Sequence, residues 1–254
     1  MMTLGTAQLG MRYGINNKTG QPSMEGCFSL LSSALASGVN ALDTSRDYGT
    51  AEDVLGAFFR TQEAPPPFVT TKFNIRCADE GSVEREIEAC LDASLEHLGL
   101  ERIDCLLLHN GKDMFRYEKP ILRALRRILG SGKVQFAGVS VYTPQEVERF
   151  LALDELSVIQ VPMSVFDQKL ITGGYIERLA AAKKVVFVRS VFLQGLCFMD
   201  PDRIAIAELG PYVRPYLEKL RAYADAEGIG VGQLCVSFIR DIPGVTSLVL
   251  GAKT

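Results

Sequence analysis

Four polar side chains stand where three successive apolar runs give way to loops. Asp43 closes Val39-Asn40-Ala41-Leu42, Lys72 closes Phe68-Val69-Thr70-Thr71, and His109 closes Ile103-Asp104-Cys105-Leu106-Leu107-Leu108. Tyr48 follows Asp43 across the loop Thr44-Ser45-Arg46-Asp47. A carboxylate, a phenol, an amine and an imidazole are the parts of a proton-transfer site. Each also has an ordinary use. Asp43 could cap the helix near Thr50, Tyr48 could be a packing aromatic, Lys72 a solvated strand end, and His109, before Asn110-Gly111, turn chemistry. What argues for chemistry is their shared position, because strand ends of a parallel α/β fold converge on one face.

The elements that must position them alternate along the whole chain. Strands are expected at residues 3–9, 39–43, 67–72, 103–108, 134–140, 157–161, 185–191 and 246–250. Helices are expected at 24–37, 50–60, 82–98, 118–129, from Pro144, and at 171–182, 211–227 and 231–241. Thr143 reads as an N-cap with Pro144 at the first helical position, and Gly38 and Gly99 read as helix stops. Short apolar strands separated by helices imply a parallel sheet covered by helices. Eight such units in 254 residues favour one α/β domain over residues 1–254, a closed (β/α)8 TIM barrel, over an open doubly wound sheet. The dinucleotide fingerprint of the open sheet is also incomplete, since Gly5-Thr6-Ala7-Gln8-Leu9-Gly10 lacks the central glycine.

Composition excludes other classes. A net charge of −3 without a Lys/Arg block argues against a nucleic-acid surface or an anionic-membrane patch. No apolar run approaches the ~20 residues of a membrane span, and the first residues lack the regions of a signal peptide. Six scattered cysteines without a CxxC pair read as reduced thiols of a cytoplasmic protein. With two histidines, a metal site has too few well-spaced ligands, so no metal is expected. The other histidine, His97, precedes Leu98-Gly99 on a helix and reads as a surface residue.

Several motifs, in order, carry a resemblance. Gly5-Thr6-Ala7, Leu42-Asp43-Thr44 with Tyr48-Gly49, Thr71-Lys72, and Leu95-x-x-Leu98-Gly99-Leu100-x-x-Ile103-Asp104 leading to His109 resemble the aldo-keto reductase pattern. Gly138-Val139-Ser140, Gln160 and Ser190-Val191-Phe192-Leu193-Gln194-Gly195-Leu196 extend it to the end of the chain. The run at 188–195 is most similar to bacterial members linked to polysaccharide or spore-coat biosynthesis. The resemblance implies reduction of an aldehyde, ketone or sugar-derived carbonyl, a small molecule, with NADP(H) preferred over NAD(H). In that reading Tyr48 donates the proton. Lys72 favours the phenolate and brings the Tyr48 pKa down towards working pH, and Asp43 holds Lys72. His109 orients the carbonyl and stabilises its developing charge. The rival is a regulatory module that binds the nicotinamide cofactor on the same barrel with little turnover.

For the cofactor, the resemblance implies contacts from Gly5, Thr6, Ser140, Gln160, Arg189, Ser190, Phe192, Leu193, Gln194, Gly195 and Lys253. Ser140 and Gln160 fall where relatives hold the nicotinamide carboxamide. Arg189 replaces an aromatic that usually stacks on that ring; its guanidinium can stack too, and its charge suits a phosphate or an anionic substrate. Residues 192–195 would run along the pyrophosphate with backbone amides as donors. Relatives continue beyond the eighth strand, where this chain stops at Thr254. The expectation is therefore a barrel short of its last helix, with weak dinucleotide affinity, little NADP-over-NAD preference, and self-association or low stability.

Overall fold

Eight short runs begin every layer of the structure, and their inner faces share one alternation. In the computed structural model, which describes residues 2–15, 17–201 and 210–252, these runs form β1 (Met2–Gly5), β2 (Ala41–Asp43), β3 (Phe68–Phe73) and β4 (Ile103–Leu108). The second half supplies β5 (Val134–Ser140), β6 (Val158–Pro162), β7 (Val185–Arg189) and β8 (Ser247–Gly251). They pair in sequence order, all parallel, and β1 pairs with β8 to close the barrel, with Met2 opposite Leu248 and Leu4 opposite Leu250. Successive side chains on a strand point to opposite faces. The inward row is filled by Cys105, Leu107, Val158, Phe187 and Val249, with Phe68, Phe136 and Val185 packed against them. Outward residues such as Val69, Leu106, Val139, Ile159 and Val188 join a larger core under the helices.

The helices carry the caps their sequences suggest. Ser23 accepts from Gly26 N ahead of Met24–Ala36. Thr143 and Glu146 make a reciprocal capping box around Pro144. Gly99 ends Val83–Leu98 in the left-handed conformation. Among the described residues no helix is long and apolar enough to cross a membrane.

Three sequence expectations need correction. The first strand stops at Gly5 instead of Leu9, and Ala7–Gly10 is one helical turn. The turn is held by Thr6, whose Oγ1 donates to Asp43 O at 3.0 Å and whose carbonyl accepts from Leu9 N at 2.8 Å. The helix expected at 171–182 is two, Lys169–Thr172 and Tyr175–Ala181, broken at Gly173-Gly174, where Gly174 has φ 70. The seventh strand ends at Arg189 instead of Val191, because Ser190 adopts φ 64 and cannot continue a ladder. The loop that follows contains a 3-10 turn over Leu193–Phe198.

Candidate active site

The inward row of each strand changes chemistry near its C-terminal end. Two or four residues beyond the apolar plug, the same alternation brings in Asp43 (β2), Lys72 (β3), Ser140 (β5), Gln160 (β6) and Arg189 (β7). Lys72 is fully buried. Its ammonium donates to Asp43 Oδ2 at 2.7 Å, to the Thr44 carbonyl at 2.8 Å and to the Tyr48 hydroxyl at 3.4 Å. Asp43 Oδ1 accepts from Gln160 Nε2 at 2.7 Å, so both carboxylate oxygens are engaged. Two of the ordinary alternatives fail here: Asp43 caps no described helix and Lys72 is not solvated.

The loop carrying Tyr48 is set by close backbone approach. Gly49 has φ +58, and a Cβ there would lie 2.2 Å from Gly10 O; one on Gly10 would lie 1.9 Å from Tyr48 O. Only glycine at both positions lets the first helical turn seat against the Tyr48 loop. The loop is tied to β3 by Arg46 N, which donates to Lys72 O at 3.1 Å. It is tied again by Asp47, which accepts from Asn74 Nδ2 and Arg76 Nη2. The His109 amide continues the β3–β4 ladder onto Phe73 O at 2.8 Å. Its ring stands edge-on to Tyr48, centroids 5.8 Å apart, with Nδ1 at 3.1 Å from Ser45 Oγ and 3.4 Å from Asp47 Oδ2.

The electrostatics differ from the sequence reading in one respect. Burial of the phenol raises the Tyr48 pKa above its usual 10, and the neighbouring Lys72 lowers it only in part. The Asp43 carboxylate, 2.7 Å from Lys72, offsets part of that lowering. Tyr48 therefore holds its proton at working pH and is not poised towards phenolate. Burial works against charge on Lys72, but Asp43 and Tyr48 outweigh it and hold the ammonium above its ordinary value. Burial, reinforced by Lys72, lowers the His109 pKa to about 4, leaving a neutral imidazole.

These groups open into a cavity of about 800 Å³, within the range of small-molecule and cofactor sites. Asp43, Tyr48, His109, Gly5, Gln160, Arg189, Ser190, Phe192, Leu193, Gln194 and Gly195 all line it. Lys72, Thr6 and Ser140 do not; they stand behind the wall, Thr6 on the Asp43 carbonyl and Ser140 accepting from Arg189 Nε at 3.2 Å. Lys253 lies outside the described residues.

Whether this wall suits a nicotinamide dinucleotide can be judged from its unused groups. Gln160 Oε1 is buried without a partner among the described residues, while Nε2 is fixed on Asp43. An amide N–H is the group such an acceptor takes. Ser190, Leu193 and Gln194 have φ of 64, 49 and 56, and Gly195 94. Leu193 N and Gly195 N donate within this loop, to Ser190 O and Phe192 O, both at 3.0 Å, so the turn is closed on itself. Beside them Arg189 adds a permanent positive charge. Gln160 Oε1 and the Arg189 charge fit the carboxamide and phosphate groups of that cofactor.

Sequence reasoning missed several participants. Tyr142 lines the cavity and takes the Arg189 guanidinium on its ring face at 4.2 Å, so Arg189 stacks on the protein's own aromatic. Gln8 and Tyr13 also line it. The sequence assigns Ser45 and Asp47 no role at the site, although four consecutive polar residues between Asp43 and Tyr48 are a signal for side-chain hydrogen bonding.

A model of the Aldo/keto reductase family matches residues 1–254. The aldo-keto reductase yakc of Schizosaccharomyces pombe, whose name carries NADP(+), is 30% identical over 166 residues, 62% of this chain and 48% of that protein. Morphine 6-dehydrogenase of Pseudomonas putida is 32% identical over 137 residues, 53% of this chain and 44% of that protein. The chain spans about half the length of the curated relatives it matches. Aldo-keto reductase AKR11C1 from Bacillus halodurans, solved in its holo form, superposes with a TM-score of 0.77 at 18% identity, over 99% of this chain and 81% of that one. The glycerol dehydrogenase AKR11B4 from Gluconobacter oxydans gives 0.73 at 23% identity, over 99% and 82%. At such identities the solved structures speak to the fold.

Proposed function

The chain belongs to the aldo/keto reductase family, and on that premise we propose that it reduces the carbonyl of an aldehyde, ketone or sugar-derived small molecule with NAD(P)H. One observation carries the reading: a fully buried ammonium bridges a carboxylate and a phenol that line a cavity whose wall also holds a neutral imidazole. When bound, the cofactor supplies hydride to the carbonyl carbon. Tyr48 delivers the proton to the carbonyl oxygen, which its raised pKa keeps available. Lys72, held charged by Asp43, orients the phenol and stabilises the negative charge that the proton leaves behind. His109 supplies a second hydrogen bond at the same oxygen. Gln160 Oε1 would hold the carboxamide, and Arg189 with residues 190–195 the phosphates. The name of the S. pombe relative and the Arg189 charge favour NADP(H) over NAD(H).

Titration with both cofactors, followed by a carbonyl-substrate panel, tests the reading. Tyr48→Phe should bind cofactor as the parent does and lose ~10²–10⁴-fold in kcat. Near-native kcat in that variant would remove Tyr48 from the mechanism. Tight cofactor binding without turnover on any carbonyl would point instead to a cofactor-sensing module.

A further inference from the structure

What His109 can offer a carbonyl oxygen depends on which ring nitrogen carries its proton. Burial and the Lys72 charge hold its pKa to about 4, so near neutrality it has one N–H. A carbonyl oxygen only accepts. His109 lines the cavity with Nδ1 turned to Ser45 and Asp47, which leaves Nε2 as the nitrogen available to a ligand. The proton must therefore sit on Nε2, and Nδ1 must be the acceptor.

The partners of Nδ1 settle between the two tautomers. Ser45 is buried, 1% exposed, and a hydroxyl has one proton to donate. Its oxygen accepts from Asp47 N at 3.1 Å. The proton has two destinations, His109 Nδ1 at 3.1 Å and the Lys72 carbonyl at 3.4 Å. The second is the longer by 0.3 Å and the weaker of the two, so the proton goes to Nδ1. The competitor is the Asp47 carboxylate, which would draw an N–H onto Nδ1. It stands at 3.4 Å, beyond the ~2.7–3.2 Å of an N–H···O bond. Its oxygens are already engaged by Asn74 and Arg76, and the Arg76 guanidinium compensates its charge.

We propose that Ser45 is a positioning residue: its hydroxyl donates to Nδ1 and fixes His109 as the tautomer with the proton on Nε2, directed to the substrate oxygen. The role at the substrate rests on the carbonyl-reductase reading. The tautomer itself can be measured without substrate or cofactor, so the two can fail separately.

The chain has two histidines, which makes nitrogen-15 histidine labelling with two-bond proton–nitrogen spectra decisive, and His97→Gln assigns the signals. Near neutral pH the parent should show His109 protonated on Nε2. Ser45→Ala should move it towards the Nδ1–H form as Asp47 becomes the remaining partner, and Ser45→Thr should restore it. In kinetics, Ser45→Ala should lose about tenfold in kcat, the worth of one ~1.4 kcal/mol hydrogen bond, with cofactor Kd unchanged. An Nδ1–H parent would overturn the proposal even if Ser45→Ala failed to fold. So would a Ser45→Ala tautomer identical to the parent's, or an Asp47→Asn variant that alone flipped the ring. An Nε2–H parent that reduced no carbonyl would support the Ser45 assignment and sink the reductase reading.

Discussion

The barrel interior is made of two materials laid end to end along the same strands. At the N-terminal end Phe68, Phe136, Val185, Phe187 and Leu107 fill the bore as an apolar plug. At the C-terminal end the same inward rows continue as Lys72, Ser140, Gln160 and Arg189. The plug is held by non-directional burial, which tolerates substitutions that keep volume. The polar end is held by named donors and acceptors, and removing one partner leaves another buried and unpaired. Stability and chemistry thus sit in adjoining layers of one core, a few residues apart on each strand, and are open to separate perturbation.

The most severe break should come at the polar end. Lys72→Met leaves the buried Asp43 carboxylate without its cation, a loss of roughly 3–5 kcal/mol for a broken buried pair. It also takes away the group that orients Tyr48, so carbonyl reduction should fall by ~10²–10⁴-fold. Chemical denaturation and steady-state kinetics together check both, and near-native turnover would reduce Lys72 to a structural role. The matching change in the plug, Phe187→Ala, should cost about 3–5 kcal/mol of unfolding free energy, while kcat below the melting transition stays within a few-fold. A kcat loss as large as that of Lys72→Met would show that the two layers are not separable.

A smaller effect should come from the frame between them. Gly49→Ala places a Cβ against the Gly10 carbonyl at φ +58, and strain of this kind costs about 1–3 kcal/mol. Since Tyr48 is the adjacent residue, kcat should drop more than stability does, and a variant with normal kinetics would show that the loop relaxes without moving Tyr48. The smallest effect concerns pH. The folded pKa of His109 is lowered from 6.5 to about 4, so the unfolded chain takes up this proton first as pH falls. Stability linked to His109 is intact above about 6.5 and is lost between there and about 4. Thermal melts across that window should fall less steeply in His109→Gln, and parallel slopes would mean the ring is not desolvated.

Much of this molecule is legible in order and period alone. Alternation of short apolar runs with capped helices predicts eight strands in sequence order, because local hydrogen bonding and a two-residue period are written in neighbouring residues. The same period sets Asp43 and Lys72 at the ends of their expected strands and Gln160 and Arg189 within the last three residues of theirs. The boundaries it misplaces are those where backbone conformation depends on distant partners, as at Ala7–Gly10, which is seated on the Tyr48 loop.

The sequence by itself therefore determined the family, the closed parallel barrel and the four groups that meet at its polar mouth. Only the tertiary structure decided their protonation and their supports. That the Tyr48 pKa rises, that Arg189 stacks on Tyr142, and that Ser45 rather than Asp47 addresses His109 Nδ1 all depend on distances between residues remote in sequence or folded back within one loop. Burial and charge compensation are properties of the assembled site, and no order of residues along the chain specifies their magnitudes.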